Sequence, residues 1–179
     1  MLPEEARPIP GERVSFERER GVSIITVSPE VAYLFVRAHA ETEPVRVRQQ
    51  VLDLLAQARL SIFLIKVQRN GLSFAVLADD LARAHQALAC APLQITVKPH
   101  LCVVSIYGQN MRELHGVLAR VAEILDEAGV AIEQISDAHD RLICLIDSAH
   151  AHKVAERIRR AFHLRAESVR WHETFSQAR

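Results

Sequence analysis

The chain has 179 residues, 49% hydrophobic and 25% charged, a balance that predicts a globular fold and excludes disordered, collagen-like and coiled-coil classes. Lysine plus arginine number 22, as do aspartate plus glutamate, for a formal net charge of zero. No field draws the chain onto a polyanion, so neither nucleic acid nor a membrane surface is an expected partner. No apolar run approaches the roughly 18 residues of a membrane span, and the first fifteen residues lack a signal-peptide pattern, so a cytoplasmic protein is expected. Cys90, Cys102 and Cys144 have no CxxC spacing and read as reduced thiols.

Compared with itself, the sequence repeats at a constant offset of 70 without a gap. In the first copy Ala32, Leu34 and Val36 alternate as in a strand, and Val47, Val51, Leu54, Leu55 and Ala58 share one helix face. Leu60, Ile62 and Ile65, then Leu72, Phe74 and Val76, predict two further strands; Ala84 and Leu88 predict a second helix, and Leu93–Val97 a last strand. In the second copy Cys102, Val104 and Ile106 form the strand, and Val117, Val121, Ile124, Leu125 and Ala128 the helix face. Gly129 stands where a helix end wants a left-handed residue. Val130–Ile135 and Arg141–Asp147 follow as a hairpin around Asp137-Ala138-His139-Asp140. Ser148 can cap a helix with the stripe Ala151, Val154, Ala155, Ile158 and Phe162, and Glu167–Trp171 is the last strand.

The order β-α-β-β-α-β, met twice, predicts an α+β protein of two ferredoxin-like units, each an antiparallel sheet with its helices on one face. Residues 1–20 then form an N-terminal extension, 21–98 the first unit, 99–166 the second and 167–179 a C-terminal strand and tail. Leu34-Phe35-Val36 and Val103-Val104 are apolar on both pleat faces, so a second copy is expected to cover the open face, giving a homodimer.

The turn after the first strand of the second unit is suited to a ligand. Gly108 permits a tight turn, Asn110 tolerates the left-handed region, and Gly116 exposes backbone N–H groups at a helix start. A helix N-terminus favours an anion by only about 0.3–1 kcal/mol, so an amino acid would also need a partner for its ammonium; Asp137, Glu133 and Glu41 are candidates. The equivalent turn of the first unit, with Glu41, Thr42 and Glu43, places Arg46 where Gly116 stands, and forms a possible second site through the Arg46 guanidinium. His139, His150 and His152 do not assemble ligand spacings, so no metal is expected. His115, Ser136 and Asp137 lack a nucleophile elbow, so no catalytic residues are assigned.

The segment Leu101–Leu164 resembles the second ACT domain of aspartokinases, the regulatory half of the enzyme that starts lysine, threonine and methionine biosynthesis. Val104-Ser105-Ile106-Tyr107-Gly108-Gln109-Asn110-Met111 is similar to the family's strand and Gly-x-Gly-Met turn, and Leu114-His115-Gly116-Val117 to its Pro-Gly-Val helix start. Ser136-Asp137-Ala138-His139 resembles a Ser-Asp-Ser-His stretch of the diaminopimelate-sensitive type, and Ala161-Phe162-His163-Leu164 the closing Ala-Phe-x-Leu. Val22–Ala89 follows the order of the first ACT unit.

The resemblance implies an amino-acid effector (lysine, threonine or diaminopimelate) held between ACT units by Gly108, Gln109, Asn110, Met111, His115, Gly116 and Val117, with Gln134, Ser136 and Asp137 on the strand opposite. It also implies that the last strand is exchanged to complete the first unit's sheet. No stretch resembles the Lys-Phe-Gly-Gly-Thr start of the kinase domain. The expectation is therefore a non-catalytic, cofactor-free regulatory chain whose partners are the effector, a second copy and an aspartokinase catalytic chain. The alternative is an assembly module of the same fold that binds no ligand.

Overall fold

A strand begins ten residues before the first predicted one, where Val22, Ile25 and Val27 supply apolar groups. The computed structural model describes residues 21–38, 44–109 and 116–172. In chain order these form β1 (Val22–Val27), β2 (Val31–Ala38), α1 (Pro44–Gln57), β3 (Phe63–Gln68), β4 (Gly71–Leu77) and α2 (Leu81–Leu88). There follow β5 (Leu93–Gly108), α3 (Val117–Glu127), β6 (Gln134–Asp137), β7 (Arg141–Asp147), α4 (Ala151–Ala161) and β8 (Val169–Trp171). The fold is α+β and ferredoxin-like in each half. In the first half the strands lie in the order β3-β4-β2-β5; in the second, β6 pairs with β7, β7 with β5, β5 with β1 and β1 with β8.

β5 serves both halves. Its Leu93–Lys98 stretch pairs with β2, and its later stretch pairs with β7 on one side and β1 on the other. The registers obey the offset of 70. Val27 pairs with Val104, and their counterparts Val97 and Leu34 pair with each other; Ile25–Ile106 corresponds in the same way to Ile95–Val36. Val31–Leu101 maps onto itself and marks a pseudo-two-fold axis. Each half thus receives its fourth strand from the segment that precedes the other half. At this junction Ser28 N donates to Val103 O at 3.0 Å, Val103 N donates to Ser28 Oγ at 2.9 Å, and Glu30 meets His100 Nδ1 at 2.9 Å.

The packing follows the helix stripes. Val47, Val51 and Leu55 of α1 and Ala84 and Leu88 of α2 bury against Ala32, Leu34, Val36, Phe74 and Val76. Val121, Ile124 and Leu125 of α3 and Val154, Ala155 and Ile158 of α4 bury against Cys102, Val104 and Ile106, joined by Ile25 and Val27 of β1. Each such Leu, Ile or Val contributes about 1.5–3 kcal/mol by leaving water. On the face away from the helices Val31, Leu101, Val103 and Leu145 form a third cluster with Tyr33, Phe63, Leu77 and Ile143 around it. The open face is therefore covered in part by the chain itself.

The last strand departs from expectation. Only Val169–Trp171 is a strand, preceded by a 3₁₀ turn at Ala166–Ser168. It pairs in parallel with β1, with Ile25 beside Val169 and Val27 beside Trp171, and not with any strand of the first half. The position it was expected to exchange into is unavailable in kind: β5 itself closes the first sheet, and in the second β1 already lies against β5 with Ile25 and Val27 buried. The division expected at residues 98 and 99 falls inside the single strand β5.

The helices α1 and α3 end in the same way. Val130 N donates to Leu125 O and Gly129 N to Asp126 O, while in the first half Leu60 N donates to Leu55 O and Arg59 N to Ala56 O, the paired bonds of a Schellman end. The residue in the left-handed region is Gly129 (φ 67°) in one and Arg59 (φ 52°) in the other. A side chain in that region costs about 1–2 kcal/mol, partly offset because glycine gains unfolded-state entropy. Urea unfolding is expected to show Arg59→Gly more stable by up to about 1 kcal/mol and Gly129→Ala less stable by about 1 kcal/mol; opposite signs would contradict the cap assignment.

Candidate effector site

The predicted residues divide between two places. Gly108 ends β5, and its N–H donates to Asp140 O at 2.9 Å, tying the strand end to the β6–β7 turn. Gln109 is exposed in the turn beyond it. Gly116 is the N-cap of α3, with φ 86° and no side chain capping the helix start. Among the described residues no atom lies within 4 Å of the position a Cβ would take there. Val117 packs at the rim of the second core. Asn110, Met111 and His115 lie outside the described residues.

Gln134 and Ser136 are elsewhere. They pair with Leu145 and Ile143, residues of the cluster on the face away from the helices, and directly paired residues project to the same side. Asp137 pairs with Leu142, a member of the helix-side core, and is exposed at the edge. Gln134 and Ser136 thus lie on the sheet face away from α3. The Gln134 side-chain oxygen is buried and, among the described residues, accepts no hydrogen bond. An unsatisfied buried acceptor costs about 1–3 kcal/mol. Glu133, a candidate ammonium partner, is instead held by Lys98, and Glu41 lies outside the described residues.

Around Gln134 and Ser136 the same face carries further hydroxyls, of Ser105, Thr26 and Tyr107, and a cation, Arg141, that sequence reasoning missed. Ser105 and Ser136 flank Ile143 on neighbouring strands, and Thr26 lies beside Ser105. Arg141 donates to Tyr107 OH at 2.9 Å with its guanidinium carbon 5.0 Å from the ring centroid, and to Asp140 at 3.1 Å. The signal was present in strand alternation, which places Ser105 and Tyr107 on the pleat face opposite Val104 and Ile106.

The first half differs at both places. α1 starts at Pro44, so Arg46 lies inside the first helical turn where its counterpart Gly116 precedes α3; proline at the first helical position favours this earlier start. Glu41, Thr42 and Glu43 lie outside the described residues. On the open face Ser73, fully buried, accepts from Tyr33 OH at 2.7 Å and Gln68 Nε2 at 3.2 Å.

No cluster of three or more metal-ligating side chains occurs among the described residues, and none of their helices is long and apolar enough to cross a membrane. Arg159 and Arg160 hydrogen-bond Glu156 and hold its carboxyl at about 2, an exposed structural cluster on α4. Burial, with Asp147 and Glu30 adding to it, pushes the Cys102 thiol up to about 12, and burial alone does the same for Cys144. Thiolate is the reactive form, so iodoacetamide at pH 8 is expected to label the folded protein once, at exposed Cys90; rapid labelling of Cys102 or Cys144 would contradict the packing of the second core.

Comparison with known proteins agrees with this architecture. The ACT domain family matches residues 104–162. An aspartokinase of Geobacillus stearothermophilus is 27% identical over 175 residues, covering 88% of this chain and 43% of that protein; the chain thus spans less than half the length of this relative. The crystal structure of aspartokinase alpha and beta subunits superposes with a TM-score of 0.71 at 26% identity, over 80% of this chain and all of that one. The ligand-free regulatory subunit of aspartate kinase from Thermus thermophilus shares the fold, with a TM-score of 0.68 at 20% identity over 79% of this chain and 98% of that one. Residues 104–162 match the ACT domain family and, through most of its length, the chain is similar to the regulatory region of aspartokinases.

Proposed function

We propose that this chain is a non-catalytic sensor of an aspartate-family amino acid (lysine, threonine or diaminopimelate) that works in the cytoplasm as a homodimer and passes effector occupancy to an aspartokinase catalytic chain. In this reading residues 21–98 and 99–166 act as two ACT units, with 1–20 and 167–179 as flanking segments. The observation that carries it is the buried, unpartnered Gln134 carbonyl, in a domain whose relatives are regulatory. The effector ammonium donates to Gln134, and the hydroxyls of Ser105 and Ser136 supply neutral polar contacts. The open backbone at Gly108 and Gly116, with Gln109, Asn110, Met111, His115, Val117 and Asp137 around it, is a second niche reached around the β6 edge. Arg46 with Glu41, Thr42 and Glu43 forms the weaker counterpart, since a side chain stands there in place of bare main chain.

Exposed Ile65 and Val67 on the edge strand β3 and Ile135 on the edge strand β6 favour a second reading, in which the fold is kept for assembly alone. Thermal melts separate the two. An effector at a hundredfold its dissociation constant adds about 2.7 kcal/mol, which raises the midpoint by roughly 5–11 °C at this size. In Gln134→Leu that shift is expected to vanish while the ligand-free midpoint holds or rises, because an unsatisfied acceptor has been replaced by an apolar group. No shift in the unmodified chain with lysine, threonine, methionine or diaminopimelate supports assembly alone; a full shift retained in Gln134→Leu removes Gln134 from the site.

A further inference from the structure

The offset of 70 relates every strand of one half to a strand of the other except β8. β8 lies along the outer edge of β1, and Trp171 stacks on His152 of α4 with ring centroids 4.0 Å apart. A cleft of about 210 Å³ remains between α4 and β8. The counterpart of β1 is the Leu93–Lys98 stretch of β5, and no described strand pairs with its outer edge. The groove beside it, of about 620 Å³, is lined by Ala78, Leu81, Ala82, His85 and Val97. Ala82 is the counterpart of His152, and Val97 that of Val27, the neighbour of Trp171. The chain cannot fill this place as it fills the other, because β5 runs on into the second half.

The sequence contains a second segment patterned like β8. Glu167-Ser168-Val169-Arg170-Trp171-His172 has its valine two residues after a glutamate and its aromatic two residues later; Glu12-Arg13-Val14-Ser15-Phe16-Glu17, outside the described residues, has the same order. We propose that Val14–Phe16 of a second copy adds to β5 as a parallel strand, Val14 beside Ile95 and Phe16 beside Val97 over Ala82, in an exchange between two chains. That register sets Glu17 beside Lys98, whose ammonium also holds Glu133.

The donor is a second copy because the chain's own segment cannot reach. Six Cα–Cα steps separate Phe16 from Val22 and span about 22 Å at most. Val22 lies opposite Gly108, and His100–Gly108 alone covers about 26 Å of strand, before the groove beside Val97 is reached.

Cysteine cross-linking in the full chain tests this, in a Cys90→Ser background so that the remaining native thiols are the buried ones. Phe16→Cys chains mixed with Ala82→Cys chains under mild oxidation are expected to give a covalent dimer containing one chain of each kind. A disulfide closed within single chains of the Phe16→Cys/Ala82→Cys double variant, with no mixed dimer, overturns the exchange; absence of both products overturns the docking. Hydrogen exchange supplies a readout free of cysteine substitutions. Amides on the outer edge of Leu93–Val97 are expected to exchange at least tenfold faster in Phe16→Asp than in the unmodified chain, and equal rates would also overturn the docking.

Discussion

The antiparallel pairing of β5 with the continuous run β1–β2, centred on Val31 and Leu101, is the constraint on which the architecture rests. In a free-standing ferredoxin-like unit the fourth strand returns to lie beside the first. Here the strand that would close the first half continues as the opening strand of the second, and the strand before the first half closes the second. Only the second half takes its fourth strand from outside its own run of sequence. The apolar cluster of Val31, Leu101, Val103 and Leu145 buries the faces that this arrangement brings together, so the hydrophobic term and the hydrogen-bond ladder favour the same geometry.

Much of this was legible in the sequence. The offset of 70 carries apolar positions faithfully from β2 to β5, from α1 to α3 and from β4 to β7, because buried faces tolerate exchange of Leu, Ile, Val and Phe but not of polarity. The exchange was not legible. Val22–Val27 reads as an ordinary apolar strand, and pattern gives its face but not its partner. The same limit explains β8, whose three residues are too few to fix pairing direction. The site was legible in part. Gly108 and Gly116 are marked by residue type and φ requirement, whereas Gln134 was singled out through family resemblance, and its lack of a donor depends on neighbours that no spacing reveals. Tyr107 and Arg141 went unnoticed because each looks like a surface residue until the strands are paired.

The two halves have diverged at the polar positions while keeping their cores. Ser73 in the first is closed off by Tyr33 and Gln68; its counterpart is Ile143, and the second half instead carries Gln134 with an acceptor to spare. Arg46 lies inside the first turn of α1, whereas its counterpart Gly116 is the N-cap of α3 and has no side chain. A duplicated scaffold in which one copy is internally satisfied and the other is not is suited to receiving a small polar ligand on one side only, with the shared strand β5 as the physical link through which occupancy would be felt in the other half.

That link makes a direct demand on energetics: the halves must open together. Native-state hydrogen exchange across a urea series reads this from the core amides of β4 and β7, one strand from each half. The shared-strand account predicts one opening free energy and one urea dependence for both sets. Exchange of the β4 amides through a much smaller opening, with β7 still protected, would show two independent domains and contradict it.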